Sequence, residues 1–325
     1  MLSRRSTLAA LSGAAAGLIL RPARAQAFPS RTVTIVVPYP AGGPVDVVAR
    51  LIAAEAAGDL GQSVVVDNRA GASGVIGSNA VARAEPDGHT IVLGTNQTHA
   101  TNQSLLKNCP YDAVKDFSPV AGIADIPHML VVRKDLAAAS VGELVALAKA
   151  KPGALTYGST GNGSASHLAA ELFKTKAGVT ALHVPFRGAA PMTTELIAGR
   201  LDFSFATLPS VIAHITSGDL RALGVASPRR AARLPEVPTL QEAEVSGVEA
   251  DAWFALFAPA KTPPAAIERL HNAVAAALRK EGPQKALAAQ GMTVAIKSPA
   301  EMSAILPDEV QKWAGVIKAA NITIE

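Results

Sequence analysis

The sequence predicts an α/β fold in which helices flank two mixed, mostly parallel sheets. Two observations carry this. Short β-branched runs without polar alternation, such as Thr32–Val37 (TVTIVV), read as strands buried on both faces. Each is followed, after a Gly- or Pro-bearing turn, by helical apolar spacing, and the unit recurs in both halves of the chain. With 325 residues, 49% of them apolar, the chain is long enough for two domains.

In the first half, Thr32–Val37 leads through Gly42-Gly43-Pro44 to a helix near Asp46–Ala57. Its pairs Val47/Leu51 and Val48/Ile52 form one apolar stripe. A strand at Val64–Val66, a helix at Val75–Ala84 and a turn at Pro86-Asp87-Gly88 precede the strand Thr90–Leu93. In the second half, strand Leu155–Tyr157, a Gly/Ser loop at Ser159–Ser166 and a helix at His167–Lys176 repeat the pattern. Strand Leu182–Val184, helix Ala190–Ala198 and strands Leu201–Phe205 and Leu220–Val225 complete it. Val120–Val132, with two apolar runs about Ile126-Pro127, and Ala252–Ala258 read as crossings between the halves. Long helices follow at Pro264–Lys280 and at Ala300–Ala320, which holds Trp313. Two crossings place both ends of the chain in one lobe, residues 28–124 with 253–325, and 125–252 in the other, with a ligand cleft between.

Residues 1–27 read as an export signal. Ser3-Arg4-Arg5 precedes an apolar run from Leu8 to Leu20, and Ala23-Arg24-Ala25 or Ala25-Gln26-Ala27 supplies small residues at cleavage spacing. The paired arginines with Leu8 suit a twin-arginine signal, while Thr7, where that pattern prefers an aromatic, keeps the Sec route open. The run is shorter than the ~20 residues of a bilayer span, and the mature protein is expected to be exported and soluble. Removing the leader's four arginines from the 30 Lys+Arg leaves 26, equal to the 26 Asp+Glu. The basic balance thus belongs to the leader, and nucleic acid is not expected as a partner. The 8 Phe, 3 Tyr and 2 Trp are too few for a base-stacking face. Cys109 is alone, and the seven His show neither HExxH nor CxxC, so no metal or other cofactor is expected.

One loop type appears twice. Pro38-Tyr39-Pro40-Ala41-Gly42-Gly43-Pro44 and Ser159-Thr160-Gly161-Asn162-Gly163-Ser164 each set Gly-rich backbone at a helix N-terminus. There the first-turn N–H groups lack helical partners and the dipole favours an anion. Pro44 suits a first helical turn, and Ser164 or Ser166 can cap. Two such loops, one per lobe, are suited to a small carboxylate. Further polar strand ends are Thr95-Asn96-Gln97-Thr98-His99, Phe186-Arg187-Gly188 and Ala206-Thr207-Leu208-Pro209-Ser210. Arg187 is either a carboxylate partner or a solvated loop cation. Gly71-Ala72-Ser73-Gly74-Val75-Ile76-Gly77 has GxxGxxG spacing and no Walker lysine, which disfavours nucleotides. An exported hydrolase using Ser164 or Ser166 with His167 stays as an alternative, although Gly163–His167 lacks the GxSxG order. A receptor signalling to a membrane partner is a third reading.

The chain resembles the extracytoplasmic solute receptors of the tripartite tricarboxylate transporters, the Bug or TctC-like family. The resemblance is carried by VVPYPAGGPVDVVAR (36–50), GQSVVVDNRAGASGVIG (61–77), PDGHTIVLGTNQTHA (86–100) and PYDAVKDFSPVAGI (110–123). It continues through LTYGSTGNGSASHLAAELFK (155–174), HVPFRG (183–188), LRALGVASPRRAARLPEVPTLQEA (220–243) and WFALFAPAKTP (253–263). It implies a type II periplasmic-binding-protein fold and a monomeric, non-catalytic periplasmic receptor that hands a small carboxylate to membrane permease subunits. Carried over by position, the implied ligand-binding residues begin with Tyr39, Ala41, Gly42, Gly43 and Asp46. Asn96, Thr98 and His99 follow, then Ser159, Asn162, Ser164 and Ser166. Phe186, Arg187 and Gly188, and Ala206, Thr207 and Ser210, complete the set. Gly43 and Asn162 lead among them. Many members have Asp-Asn where this chain has Ala206-Thr207, and often Lys at the Arg187 position. The missing acid favours a ligand without an ammonium group, a di- or tricarboxylate or an aromatic acid.

Overall fold

The computed structural model describes residues 28–323, so the export-signal reading lies outside the described residues. The first sheet has six strands: β1 (Val33–Val37), β2 (Val64–Asn68), β3 (Thr90–Thr95), β4 (Phe117–Ile126), β10 (Ala252–Pro259) and β11 (Thr293–Lys297). Their order is β11-β4-β10-β3-β1-β2. The second has five: β5 (His128–Arg133), β6 (Thr156–Ser159), β7 (Leu182–Pro185), β8 (Phe203–Thr207) and β9 (Leu220–Val225), in the order β7-β6-β8-β5-β9. Helices flank both: α1 (Pro44–Leu60), α2 (Val75–Ala82), the short α3 (Asn102–Leu105), α4 (Val141–Ala150), α5 (Ala165–Ala177), α6 (Ala189–Ile197), α7 (Leu208–Thr216), α8 (Pro264–Arg279), α9 (Glu281–Ala289) and α10 (Pro299–Ala319).

Both sheets are mixed, as expected, but parallel pairings are not the majority. β1 runs parallel to β2 and β3, and β6 to β7 and β8, where β-α-β units connect them. The other five pairings are antiparallel. The crossings cause this. β4 leaves the first sheet and β10 returns to it, so the two run oppositely, and β5 enters the second sheet against both of its neighbours.

Continuous apolar strands are explained by cover on both faces. In the first sheet Ile35, Leu93 and Leu256 pack toward α1 and α8, against Val48, Ile52, Leu270 and Val274. The alternate residues Val36, Val92 and Phe257 pack with Val81 of α2 and Met302 and Leu306 of α10. In the second sheet Leu130, Val132, Tyr157 and Phe205 face Leu144, Leu168 and Phe173, while Met129, Val131 and Ala206 face Met192, Leu196 and Val211. The second sheet's core also takes Trp313, Val316 and Ile317, so α10 contributes side chains to the cores of both sheets. Among the described residues, no helix is long and apolar enough to cross a membrane.

Candidate ligand-binding cleft

A cavity of about 1060 Å³ lies between the two sheets. The first sheet's side supplies the Tyr39–Val45 loop, Thr95-Asn96-Gln97, Ile126, Ala252 and Phe254, with Ala289, Gln290 and Met292 at the α9–β11 corner. The second side supplies Thr160, Ser164, Ala165, Ala189, Thr207, Pro209, Ser210, Ile212 and Arg233. Four helix N-termini therefore reach the cavity: α1 at Gly43–Val45, α5 at Ser164-Ala165, α6 at Ala189 and α7 at Thr207–Ser210. Each brings first-turn N–H groups and the positive end of its dipole. Among the described residues that line the space, Arg233 carries the one formal side-chain charge and none is a carboxylate. At one corner the two sides nearly touch, since a Cβ on Gly291 would meet the Pro209 ring at 3.2 Å.

Of the residues expected at the site, Tyr39, Ala41, Gly42, Gly43, Asn96, Ser164, Thr207 and Ser210 line this cavity. Tyr39 places its hydroxyl 2.9 Å from Thr95 Oγ1 and donates to Gln97 Oε1 at 3.1 Å, and burial pushes its pKa up to about 12. Thr207 and Ser210 bond each other, Oγ1 to Oγ at 3.2 Å, and Ser210 Oγ donates to the Thr207 carbonyl at 2.7 Å.

Asp46 does not line the cavity. It is buried beneath the first loop, where Gly42 N–H and Arg50 Nε–H donate to Oδ2 and Asn68 Nδ2 to Oδ1, each at 2.9 Å. The Arg50 bond leads in holding its carboxyl at a pKa of about 2. Asp46 thus uses the Gly42 N–H for itself and shapes the loop, leaving the helix-start amides beyond it to a ligand.

Thr98 and His99 lie behind β3. The chain makes a π-helical turn at Gln97–Thr101, which carries both inward. The Thr95 N–H donates to Thr98 Oγ1 at 2.9 Å. His99 is fully buried, stacks on Phe257 with centroids 3.9 Å apart, and has Nδ1 2.8 Å from Thr98 Oγ1. Loss of solvent lowers its pKa to about 3, so the ring is neutral.

In the second loop, Ser159 and Ser166 are buried hydrogen-bonding partners of the backbone. Ser166 Oγ accepts from Thr160 N at 2.9 Å and lies 3.0 Å from Ser164 Oγ, and Ser164 caps α5. Asn162 is exposed and turned away, donating from Nδ2 to the Thr323 carbonyl at 3.0 Å. Phe186 packs on the second sheet's core and Ala206 is buried within it. Gly188 precedes α6 with φ +107° and donates to the Thr160 carbonyl at 3.3 Å. Arg187 is exposed and makes no ion pair among the described residues. The His167 ring meets Gly163 N rather than Ser164 or Ser166 Oγ, so the hydrolase pair does not form. Among the described residues no cluster of three or more His, Cys, Asp or Glu is placed to hold a metal.

Sequence reasoning missed Arg233, Gln290, Met292, Ile126, Phe254 and the α6 start at Ala189 as cavity residues. Ile126 and Phe254 carried a signal, because both lie on the expected crossings. Arg233 carried none, standing in a loop with Arg229 and Arg230.

Residues 48–322 match the family model described as "Tripartite tricarboxylate transporter family receptor". Protein BugT of Bordetella pertussis is 38% identical over 308 residues, 94% of each chain. An R. palustris protein solved with adipate is 39% identical with a TM-score of 0.76, covering 91% of this chain and all of the other. MatC of Rhodopseudomonas palustris, solved with bound malate, is 33% identical with a TM-score of 0.72, covering 89% of this chain and all of the other. The two mixed sheets around a central cleft and these matches agree: the chain belongs to the tripartite tricarboxylate transporter receptor family, whose members are periplasmic solute-binding receptors and not enzymes.

Proposed function

We propose that the protein captures a carboxylate lacking an ammonium group in the cleft and delivers it to the membrane permease subunits of a tripartite transporter. Residues 28–124 with 253–325 and residues 125–252 act as the two lobes that close on it, except that the end of α10, from Trp313 on, travels with the second sheet whose core it enters. The observation that carries the ligand class is the lining itself. Four helix N-termini and Arg233 face the cavity, with no carboxylate among the described residues that line it. The four helix starts and Arg233 favour an anion, opposed by the C-terminal end of α9 at Ala289-Gln290 alone among the helix ends there, and an ammonium group would be desolvated with no carboxylate partner among the described residues. Ile126, Ile212, Phe254 and Met292 supply apolar wall for a carbon skeleton. Adipate and malate, with which the two relatives were solved, are dicarboxylates of this kind.

The test is a thermal-shift and calorimetric panel on residues 28–325, after unfolding and refolding to strip bound ligand. Adipate, malate, citrate, benzoate, aspartate and glutamate would be compared. A ligand at 100 times its Kd contributes about 2.7 kcal/mol, a midpoint shift of roughly 5 °C. The expected result is a shift with one non-amino carboxylate series. Arg233→Gln should then weaken a dicarboxylate about three- to tenfold and a monocarboxylate less, an exposed guanidinium pair being modest in water. Tighter binding of aspartate or glutamate than of every non-amino acid would overturn the ligand class, and a flat panel the carboxylate reading.

A further inference from the structure

Behind the Ser159–Ser166 loop lies a stack of rings that does not line the cavity. His167 and His183 stack with centroids 3.7 Å apart and planes 13° from parallel, and His183 stacks in turn on Tyr157 at 4.9 Å. Beneath them Glu171 accepts from the Tyr157 hydroxyl and from Lys174 Nζ, the latter at 2.6 Å, with His167 Nε2 3.8 Å away. The other end of the stack holds the loop backbone. Gly163 N–H donates to His167 Nδ1 at 3.0 Å. Ser159 Oγ lies 2.6 Å from His183 Nε2 and 3.0 Å from the Gly161 carbonyl, and accepts from Gly161 N–H at 3.2 Å.

The His167 proton can be placed. Gly163 N is a donor, so His167 Nδ1 carries no hydrogen and the neutral ring bears it on Nε2, toward Glu171. The Ser159 hydroxyl has one hydrogen for two acceptors in reach, the Gly161 carbonyl and His183 Nε2, and the His167 tautomer does not depend on which of them takes it. The loop needs this support. Gly161 and Gly163 have φ of +141° and +71°, and a Cβ at Gly161 would touch only the Phe186 carbonyl, at 3.6 Å. Gly161 is therefore held chiefly by its hydrogen bonds, while Gly163 is buried against the ring stack and its N–H must find an acceptor there.

We propose that His167, as the neutral Nε2–H tautomer, is a positioning residue for ligand capture: by clamping Gly163 it aims the first-turn amides of α5 and the Ser164 hydroxyl into the cleft. The inference rests on the carboxylate reading above for what those donors hold. Protonation at Nδ1 would set N–H against N–H and release the loop. The groups facing the ring are His183 from β7, Tyr157 from β6, and Glu171 and Lys174 from α5 itself. Burial and the neighbouring His183 outweigh Glu171 and bring His167 down to about 4, so the clamp holds through neutral and mildly acid pH.

The test reads the loop and the ligand separately. Amide hydrogen exchange of 159–167 in the ligand-free protein is compared for wild type, His167→Leu and His167→Asn, whose amide oxygen can accept from Gly163 without titrating. Adipate binding is measured by calorimetry on the same proteins. In His167→Leu the loop amides should exchange at least tenfold faster, and adipate should bind about tenfold more weakly at pH 7, as expected for a lost buried bond. His167→Asn should recover both. Wild type should lose loop protection, corrected for intrinsic exchange, as pH falls through about 4, and His167→Asn should not. Unchanged protection in His167→Leu, or the same pH profile in wild type and His167→Asn, overturns the proposal. If the loop behaves as expected while wild type binds no carboxylate, the clamp stands and the ligand reading falls. Nitrogen-15 NMR of the wild-type imidazole needs no variant: an Nε2–H tautomer supports the clamp, and Nδ1–H overturns it.

Discussion

At Asp46, three donors from separate parts of the chain around the first sheet, Gly42, Arg50 and Asn68, meet on one buried carboxylate. Substitution by Asn would turn an amide hydrogen toward at least one of them, so Asp46→Asn should cost about 1–3 kcal/mol at neutral pH. The pH dependence has a definite sign. The folded pKa, about 2, lies below the ordinary 3.8, so the stabilisation is present above about 4 and is lost as pH falls through 2. Melting wild type and Asp46→Asn between pH 7 and pH 2 should show their difference shrinking at the acid end, and a difference independent of pH would refute the role. The sequence placed Asp46 in a helix's first turn and at the loop, but spacing could not show that it consumes the Gly42 amide. Thr98 and His99 misled for a different reason. They follow a strand end, where polar residues suggest a site, and a π-helical turn that leaves no periodic signal swings them into the core. Arg233 and Arg187 look alike as loop arginines, and only the tertiary packing around the two sheets brings one of them to the cleft.

Elements were more legible than residues where local chemistry specifies them. The strands at 33–37, 90–95, 220–225 and 252–259 are apolar runs because each is covered on both faces, and burial of that kind is written in composition. Strand direction is not, because it depends on the path of the chain between sheets, and the crossings left the expected mixture without its parallel majority. α4 is a missed element with a visible signal. Ser140 Oγ accepts from Glu143 N at 3.2 Å and Glu143 Oε2 from Ala139 N, a Ser-x-x-Glu start. α10 begins with the same device in full: Ser298 Oγ accepts from Glu301 N at 3.2 Å, and Glu301 Oε2 accepts from Ser298 N at 2.7 Å. Ser298→Ala should therefore cost about 1 kcal/mol. Urea unfolding should show this as a lower midpoint with an unchanged slope, whereas a changed slope would mean that α10 had detached.

Across the molecule, α10 ties the two layers together, and the charges along the seam explain what the tie costs. The chain's two tryptophans, Trp253 on β10 and Trp313 on α10, both donate to Glu309, which also holds Lys312. Beside them Lys297 pairs with Asp125 at 2.9 Å. Asp251, just before the return crossing into β10, is less well served. Its Oδ2 accepts from Ser227 Oγ at 2.6 Å, while Oδ1 is buried without a hydrogen-bond partner among the described residues. Desolvation leads in pushing its pKa up to about 7, with the Asp125 charge adding to it and Lys297 and Lys312 opposing. The folded value lies above that of an unfolded aspartate, so full stability is present below about pH 4 and is lost as pH rises through 7. Asp251→Asn removes the charge and keeps an oxygen for Ser227. Its melting temperature should match wild type near pH 4.5 and exceed it by a few degrees at pH 8.5, where the wild-type carboxylate is ionised in the seam. An equal offset at both pH values would show that the carboxylate is not held protonated in the fold. A lower melting temperature at pH 8.5 would show that the ionised form is paired there, and that the crossing gains rather than loses from its charge.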